Sequence, residues 1–192
     1  MTEIHAQPET PPSSAALQGL AASLPDDRAR THILAVDDSA LDREMLKDEL
    51  TGEGYQVSTA GDGEEALAKV EADPPDLILL DVVMPKLDGY EVCRRLKSDA
   101  RTILIPVVMI TSLQATEQRI RGIEAGADDF LSKPFNRQEL MTRVRSLLKL
   151  KRHTDELENA ETVLFSLALS VEAKDPYTTG HCDRLARYSV TL

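Results

Sequence analysis

Leu77-Ile78-Leu79-Leu80-Asp81 is a run of four aliphatic residues ending in a carboxylate, and Val82-Val83-Met84-Pro85-Lys86-Leu87-Asp88-Gly89 follows it. An unbroken aliphatic run this short suits a strand covered on both faces, as in a parallel sheet. Pro85 and Asp88-Gly89 mark the loop that leaves it. Outward from this stretch, comparable runs occur at Ile33–Val36, Tyr55–Thr59, Val107–Ile110 and, more weakly, Asp129–Ser132. Between them lie Leu41–Glu49, Gly63–Glu71, Gly89–Lys97 and Glu117–Ala125, with apolar residues such as Leu41, Met45, Leu46 and Leu50 three or four apart. A fifth helix begins near Gln138. This strict alternation predicts an α/β, doubly wound (βα)5 parallel sheet over about residues 31–150.

The flanks differ in character. Residues 1–30 are rich in Pro, Ser, Ala and acids and bury too little apolar area to offset their ordering entropy. They read as a disordered tail, with one helical turn around Leu17–Leu24. After the fifth helix begins, Val144, Leu147, Leu150, Thr154, Leu157, Glu161, Leu164, Ala168 and Val171 recur at three- and four-residue steps. That seam predicts a helical linker over 151–174, read either as one long surface helix or, more sharply, as a parallel coiled-coil stalk that makes the chain a homodimer. Asp175-Pro176 then interrupts the helix and opens a last segment, 175–192.

Composition narrows the classes of function. The chain has 192 residues, enough for one domain of about 120 residues with appendages. Its net charge of −11 argues against direct nucleic-acid binding, and the basic stretch Arg143–His153 reads as a solvated helix face. No apolar run approaches the roughly 20 residues that span a bilayer, and Met1–His5 has neither the basic start nor the apolar core of a secretory signal. Cys93 and Cys182 lie far apart without metal-type spacing, which suits reduced thiols in a cytoplasmic protein.

Ligands of an open parallel sheet collect beyond the carboxyl ends of its strands. Here those ends carry Asp37-Asp38, Asp81, Thr111-Ser112 and Lys133-Pro134. Each alone has an ordinary explanation, such as a helix N-cap or a solvated lysine. Together, on neighbouring strands about 4.8 Å apart, they form a rim. Carboxylates that close repel unless a cation compensates, and oxygen ligands suit Mg2+ or Mn2+. A metal, a lysine and a hydroxyl around carboxylates suit a phosphoryl group, whose transfer rests on positioning and charge stabilisation.

Taken together, Asp37-Asp38-Ser39, Asp81 through Gly89, Thr111-Ser112 and Phe130-Leu131-Ser132-Lys133-Pro134-Phe135 closely resemble the response-regulator receiver domain. The resemblance covers about residues 31–150 and implies a flavodoxin-like strand order of 2-1-3-4-5. It implies that Asp81 is the phosphoacceptor, supplied by a histidine kinase or phosphotransfer protein. Asp38, Asp81 and the backbone carbonyl of Val83 would hold the metal, with Asp37 supporting it directly or through water. Thr111 and Lys133 would each engage a phosphoryl oxygen, Phe130 would be the aromatic switch, and Lys133-Pro134 would be cis. The surface of helix four, strand five and helix five would change between states. Val83 and Leu113, two residues beyond Asp81 and Thr111, offer no side-chain hydrogen bond to an attacking water, which predicts slow loss of the phosphoryl group.

Asp175-Pro176-Tyr177-Thr178-Thr179-Gly180-His181, with Arg184 and Tyr188, resembles the opening of an HD-GYP cyclic di-GMP phosphodiesterase domain. His181 would match an early metal ligand of that family, but one imidazole cannot build the metal centre, so this part is expected to be inactive in a fragment or truncation. A stand-alone receiver serving as a relay or docking module is the alternative. A haloacid-dehalogenase-type phosphatase wants an acid where Val83 stands. A dinucleotide enzyme wants its glycines after the strand, whereas Gly52-Glu53-Gly54 precedes one.

Overall fold

In the computed structural model, which describes residues 27–112 and 116–172, the five expected strands form one parallel sheet in the order β2-β1-β3-β4-β5. The strands are β1 (His32–Val36), β2 (Gln56–Ala60), β3 (Leu77–Asp81), β4 (Val107–Thr111) and β5 (Asp129–Ser132). The helices are α1 (Ala40–Gly52), α2 (Gly63–Ala72), α3 (Gly89–Ser98), α4 (Thr116–Glu124) and α5 (Arg137–Glu172). This is the flavodoxin-like order expected from sequence.

The period-two alternation of a strand explains the two cores. Ile78 and Leu80 of β3 join Val70, Val92, Cys93 and Leu96 on one face, while Leu77 and Leu79 join Leu46, Leu50, Leu140 and Val144 on the other. Both faces of β3 and β4 are buried, which is why these runs are continuous instead of alternating. Four helices begin on side-chain caps: Ser39, Asp62, Asp88 and Asn136 accept from the amides of Asp42, Glu65, Glu91 and Glu139 at 3.3, 2.9, 2.8 and 2.8 Å. Each such cap is worth about 1 kcal/mol.

Two readings of the sequence shift in detail. Strand β2 begins one residue late, because Tyr55 is still tied to the end of α1 through its amide bond to the Leu50 carbonyl, after the left-handed turn at Gly54. Leu41 and Met45 share the apolar spacing of α1, yet they are 79% and 43% exposed while Leu46 and Leu50 form its buried face. A 3-10 turn, Asp27–Arg30, leads into β1, and its Ala29 carbonyl accepts from Gln56 Nε2 at 2.8 Å.

Helix α5 is continuous for 36 residues, so domain and linker share one helix. Its buried face ends at Leu148, and beyond it Leu150, Leu157 and Leu164 stand 63%, 67% and 66% exposed at seven-residue intervals. No described helix is long and apolar enough to cross a membrane. The turn at Leu17–Leu24, Leu113, the break at Asp175-Pro176, His181 and Cys182 lie outside the described residues.

Candidate functional site

Parallel register brings the strand ends level. Val36 pairs with Leu80, Asp81 with Ile110, and Thr111 with Ser132. The residues that end these strands, or follow them directly, therefore share one rim at the point where the chain order reverses between β1 and β3. Asp37 and Asp81 are buried there, 1% and 5% exposed, and Thr111 is 4% exposed.

The rim is organised around Lys133. Its ammonium reaches Asp37 Oδ2 at 2.6 Å, Asp42 Oδ2 at 2.9 Å and Asp81 Oδ1 at 3.1 Å. Its backbone amide donates to the Thr111 carbonyl at 2.8 Å, and the Lys133-Pro134 peptide is cis, as the resemblance implied. Burial disfavours the charged lysine, but its hydrogen bonds to the carboxylates of Asp37, Asp42 and Asp81 outweigh this and hold the ammonium protonated beyond its ordinary range.

Asp81 sits in the opposite balance. Burial pushes its carboxyl above the ordinary range and the Asp37 charge adds to this, against the Lys133 hydrogen bond and the Val83 amide. That amide donates to Asp81 Oδ2 at 2.9 Å. The loop then turns back so tightly that a Cβ at Gly89 would lie 2.3 Å from the Asp81 carbonyl oxygen, so position 89 admits only glycine without a backbone shift. The Asp88-Gly89 pair thus caps α3 and lets the helix start against the end of β3.

Of the residues singled out from sequence, Asp37, Asp81 and Lys133 meet directly, and Thr111 lies beside them on β4. Asp38 is exposed and takes none of the three Lys133 contacts; the Val83 side chain points outward, 56% exposed. Phe130 is half-buried on β5. Its ring lies against Gly122, where a Cβ would sit 2.4 and 2.6 Å from ring carbons, and the Arg119 guanidinium lies over it at 5.7 Å.

Asp42 was not foreseen. Its only sequence signal is an acid in the first turn of α1, which ordinarily reads as a favourable charge at a helix start. Contact with Lys133 needs the fold.

Among the described residues, no three His, Cys, Asp or Glu side chains are grouped as a ready-made metal cage. The donor chemistry still fits Mg2+, which is held by one or two carboxylates and keeps several waters. All donors at the rim are oxygens, and the repulsion between Asp37 and Asp81 is what a divalent cation relieves.

The chain matches the response regulator receiver domain family over residues 33–145. It is 52% identical over 129 residues to the response regulator PleD of Caulobacter vibrioides, covering 67% of this chain and 28% of that protein. It is 43% identical over 146 residues to the response regulator MprA of Mycobacterium leprae, covering 76% of this chain and 61% of that one. The match therefore spans less than two thirds of either relative. Among solved structures, the signal receiver domain of a histidine kinase from Syntrophus aciditrophicus superposes with a TM-score of 0.60 at 40% identity, over 62% of this chain and 90% of that one. Chemotaxis protein CheY4 of Vibrio cholerae gives 0.59 at 36% identity, over 61% and 98%.

Proposed function

We propose, starting from the fact that this chain belongs to the response regulator receiver domain family, that Asp81 accepts the phosphoryl group of a two-component signal. Receivers of this family interact with histidine kinases or phosphotransfer proteins and bind Mg2+ at the phosphorylation site. The observation that carries the assignment to Asp81 is its place at the end of the central strand, buried, with the Lys133 ammonium 3.1 Å away.

In the proposed reaction, a carboxylate oxygen of Asp81 forms a bond to phosphorus while the bond from phosphorus to the donor imidazole nitrogen breaks. The imidazole leaves with the electron pair, and the product is an acyl phosphate. Asp38, Asp81 and the Val83 carbonyl would hold Mg2+, with Asp37 in support. The ion would offset charge on the phosphoryl oxygens. Lys133 supplies a fixed positive charge on the other side, and Thr111 a hydroxyl. Leu41 and Met45, exposed on the first turns of α1 beside the rim, give an incoming phosphodonor protein an apolar surface to dock on.

The modification adds up to two negative charges and draws Lys133 and Thr111 toward them. Phe130 then repacks, and the face made by α4, β5 and α5 changes with it. The apolar residues exposed along α5 support pairing of two stalks in parallel, a homodimer through α5. The output reading, regulation of a cyclic di-GMP phosphodiesterase of the HD-GYP type, rests on the sequence at 175–181, outside the described residues. A cytoplasmic location follows from a kinase donor. The Val83 side chain offers no hydrogen bond to a water attacking the acyl phosphate, which supports slow loss of phosphate; a half-life of seconds would refute that part.

Intact mass after incubation with acetyl phosphate and Mg2+ tests the assignment. The expected result is a gain of one phosphoryl group that Asp81→Asn abolishes. A gain that survives the substitution overturns it.

A further inference from the structure

The Lys133 ammonium donates to Asp37 at 2.6 Å and to Asp42 at 2.9 Å and stands 3.1 Å from Asp81; of these partners, Asp42 lies outside the set that the phosphoryl reaction requires. Asp37 and Asp81 are nearly inaccessible, whereas the Asp42 side chain is 34% exposed. Of the three partners, Asp42 is therefore the one that can return to water at least cost. Among the described residues its carboxylate is held by Lys133, while its backbone amide is held by the Ser39 cap.

A phosphoryl oxygen on Asp81 competes with the Asp37 and Asp42 carboxylates for the Lys133 ammonium. The two contacts that share Nζ, at 2.9 and 3.1 Å, also place the Asp42 and Asp81 oxygens within about 6 Å of each other, inside the ~8 Å screening length of physiological salt. Asp42 therefore opposes phosphorylation twice. It occupies a donor that the phosphoryl group needs, and its charge repels the charge that Asp81 gains.

We propose that Asp42 is a positioning residue that restrains Lys133 in the unphosphorylated chain and competes with the phosphoryl group for its ammonium, setting both the rate of phosphorylation and the lifetime of the product. This rests on the reading of Asp81 as phosphoacceptor. It predicts that a neutral residue at position 42 makes the switch easier to turn on and slower to turn off.

The test compares wild type, Asp42→Asn, Asp42→Glu and Asp81→Asn with acetyl phosphate and Mg2+, by intact mass over time. Asp42→Asn is expected to be phosphorylated about 3- to 10-fold faster and to lose phosphate more slowly, with Asp42→Glu close to wild type. The difference should shrink as salt is raised, which a purely structural role would not produce. A second readout needs neither metal nor phosphate. The ammonium resonance of Lys133 in 1H–15N spectra should be visible in wild type, where three carboxylates slow its exchange, and should weaken or shift in Asp42→Asn. Unchanged rates and an unchanged Lys133 resonance in Asp42→Asn overturn the proposal, as does slower phosphorylation of that variant. Phosphate gained by Asp81→Asn would instead overturn the assignment beneath it, so the two failures are distinguishable.

Discussion

Gly122→Ala should push the Phe130 ring out of its place, and the structure sets the scale. An alanine Cβ there would stand 2.4 and 2.6 Å from two ring carbons and 3.0 Å from Met109 Sδ. Ordinary carbon contacts lie at about 3.5–4.0 Å, so the ring must retreat by roughly 1 Å or rotate away. Overpacking of this kind costs about 1–3 kcal/mol. Replacing glycine by alanine within a helix returns about 1 kcal/mol. The net loss is then about 0–2 kcal/mol, or a few degrees in Tm for a domain of this size. The decisive assay is a double-mutant cycle read by thermal or urea unfolding. In a Phe130→Ala background the clash is gone, so Gly122→Ala should stabilise by about 1 kcal/mol instead of destabilising. If it changes stability equally with and without the ring, Phe130 does not fill the space that Gly122 leaves, and the packing argument fails.

Leu79→Ala, at a fully buried site on β3, should cost about 2–5 kcal/mol in urea unfolding, and a loss under 1 would contradict its place in the core. The folded chain holds the Asp81 proton more tightly than the unfolded chain, whose carboxyl titrates near 3.8, so the ionised form costs stability at neutral pH. That cost is lifted as pH falls through the folded value toward 3.8. Without Mg2+, Asp81→Asn should therefore unfold at higher urea than wild type at pH 7, with a margin that narrows on acidification; a margin that widens refutes the assignment of burial as the dominant cause. Leu157→Glu places a charge on the exposed seam of α5 and should shift sedimentation toward monomer while leaving the Tm of the receiver core unchanged within about a degree, since Leu157 is 67% exposed.

Most of the architecture was legible because every strand is short and punctuated and β1, β3 and β4 are almost purely aliphatic. Leu77–Asp81 and Val107–Thr111 extend their expected runs by one residue each, to include the carboxylate or hydroxyl at the end. The weak fifth strand, Asp129–Ser132, coincides with the reading because Gly126 and the proline after Lys133 bracket it. Periodicity alone could not say which apolar residues of α1 face the sheet. Leu41, Met45, Leu46 and Leu50 share a spacing, and only docking leaves the first two in solvent. The rim was legible because parallel register levels the strand ends, so position along each strand stands in for position in space. Asp42 was illegible for the converse reason, since it reaches the rim from a helix and meets a partner 91 positions away. The Phe130–Gly122 contact likewise joins a strand to the helix before it, and a glycine inside a helical pattern gives no hint of the ring it accommodates.

The unbroken course of α5 carries one geometric consequence. About 17 of its 36 residues lie past Asp155, the last position that lines a cleft with the domain, and at 1.5 Å per residue they extend some 26 Å beyond it. Over that arm a tilt of about 10° at the root sweeps the far end through roughly 4–5 Å, close to the pitch of a helical turn. A rearrangement of side chains around Phe130 and the neighbouring Arg143–Asp129 ion pair, too small to alter the sheet, would thereby be magnified in proportion to distance. The rigidity of a single helix, with no hinge at residue 150, sets the gain of that amplification.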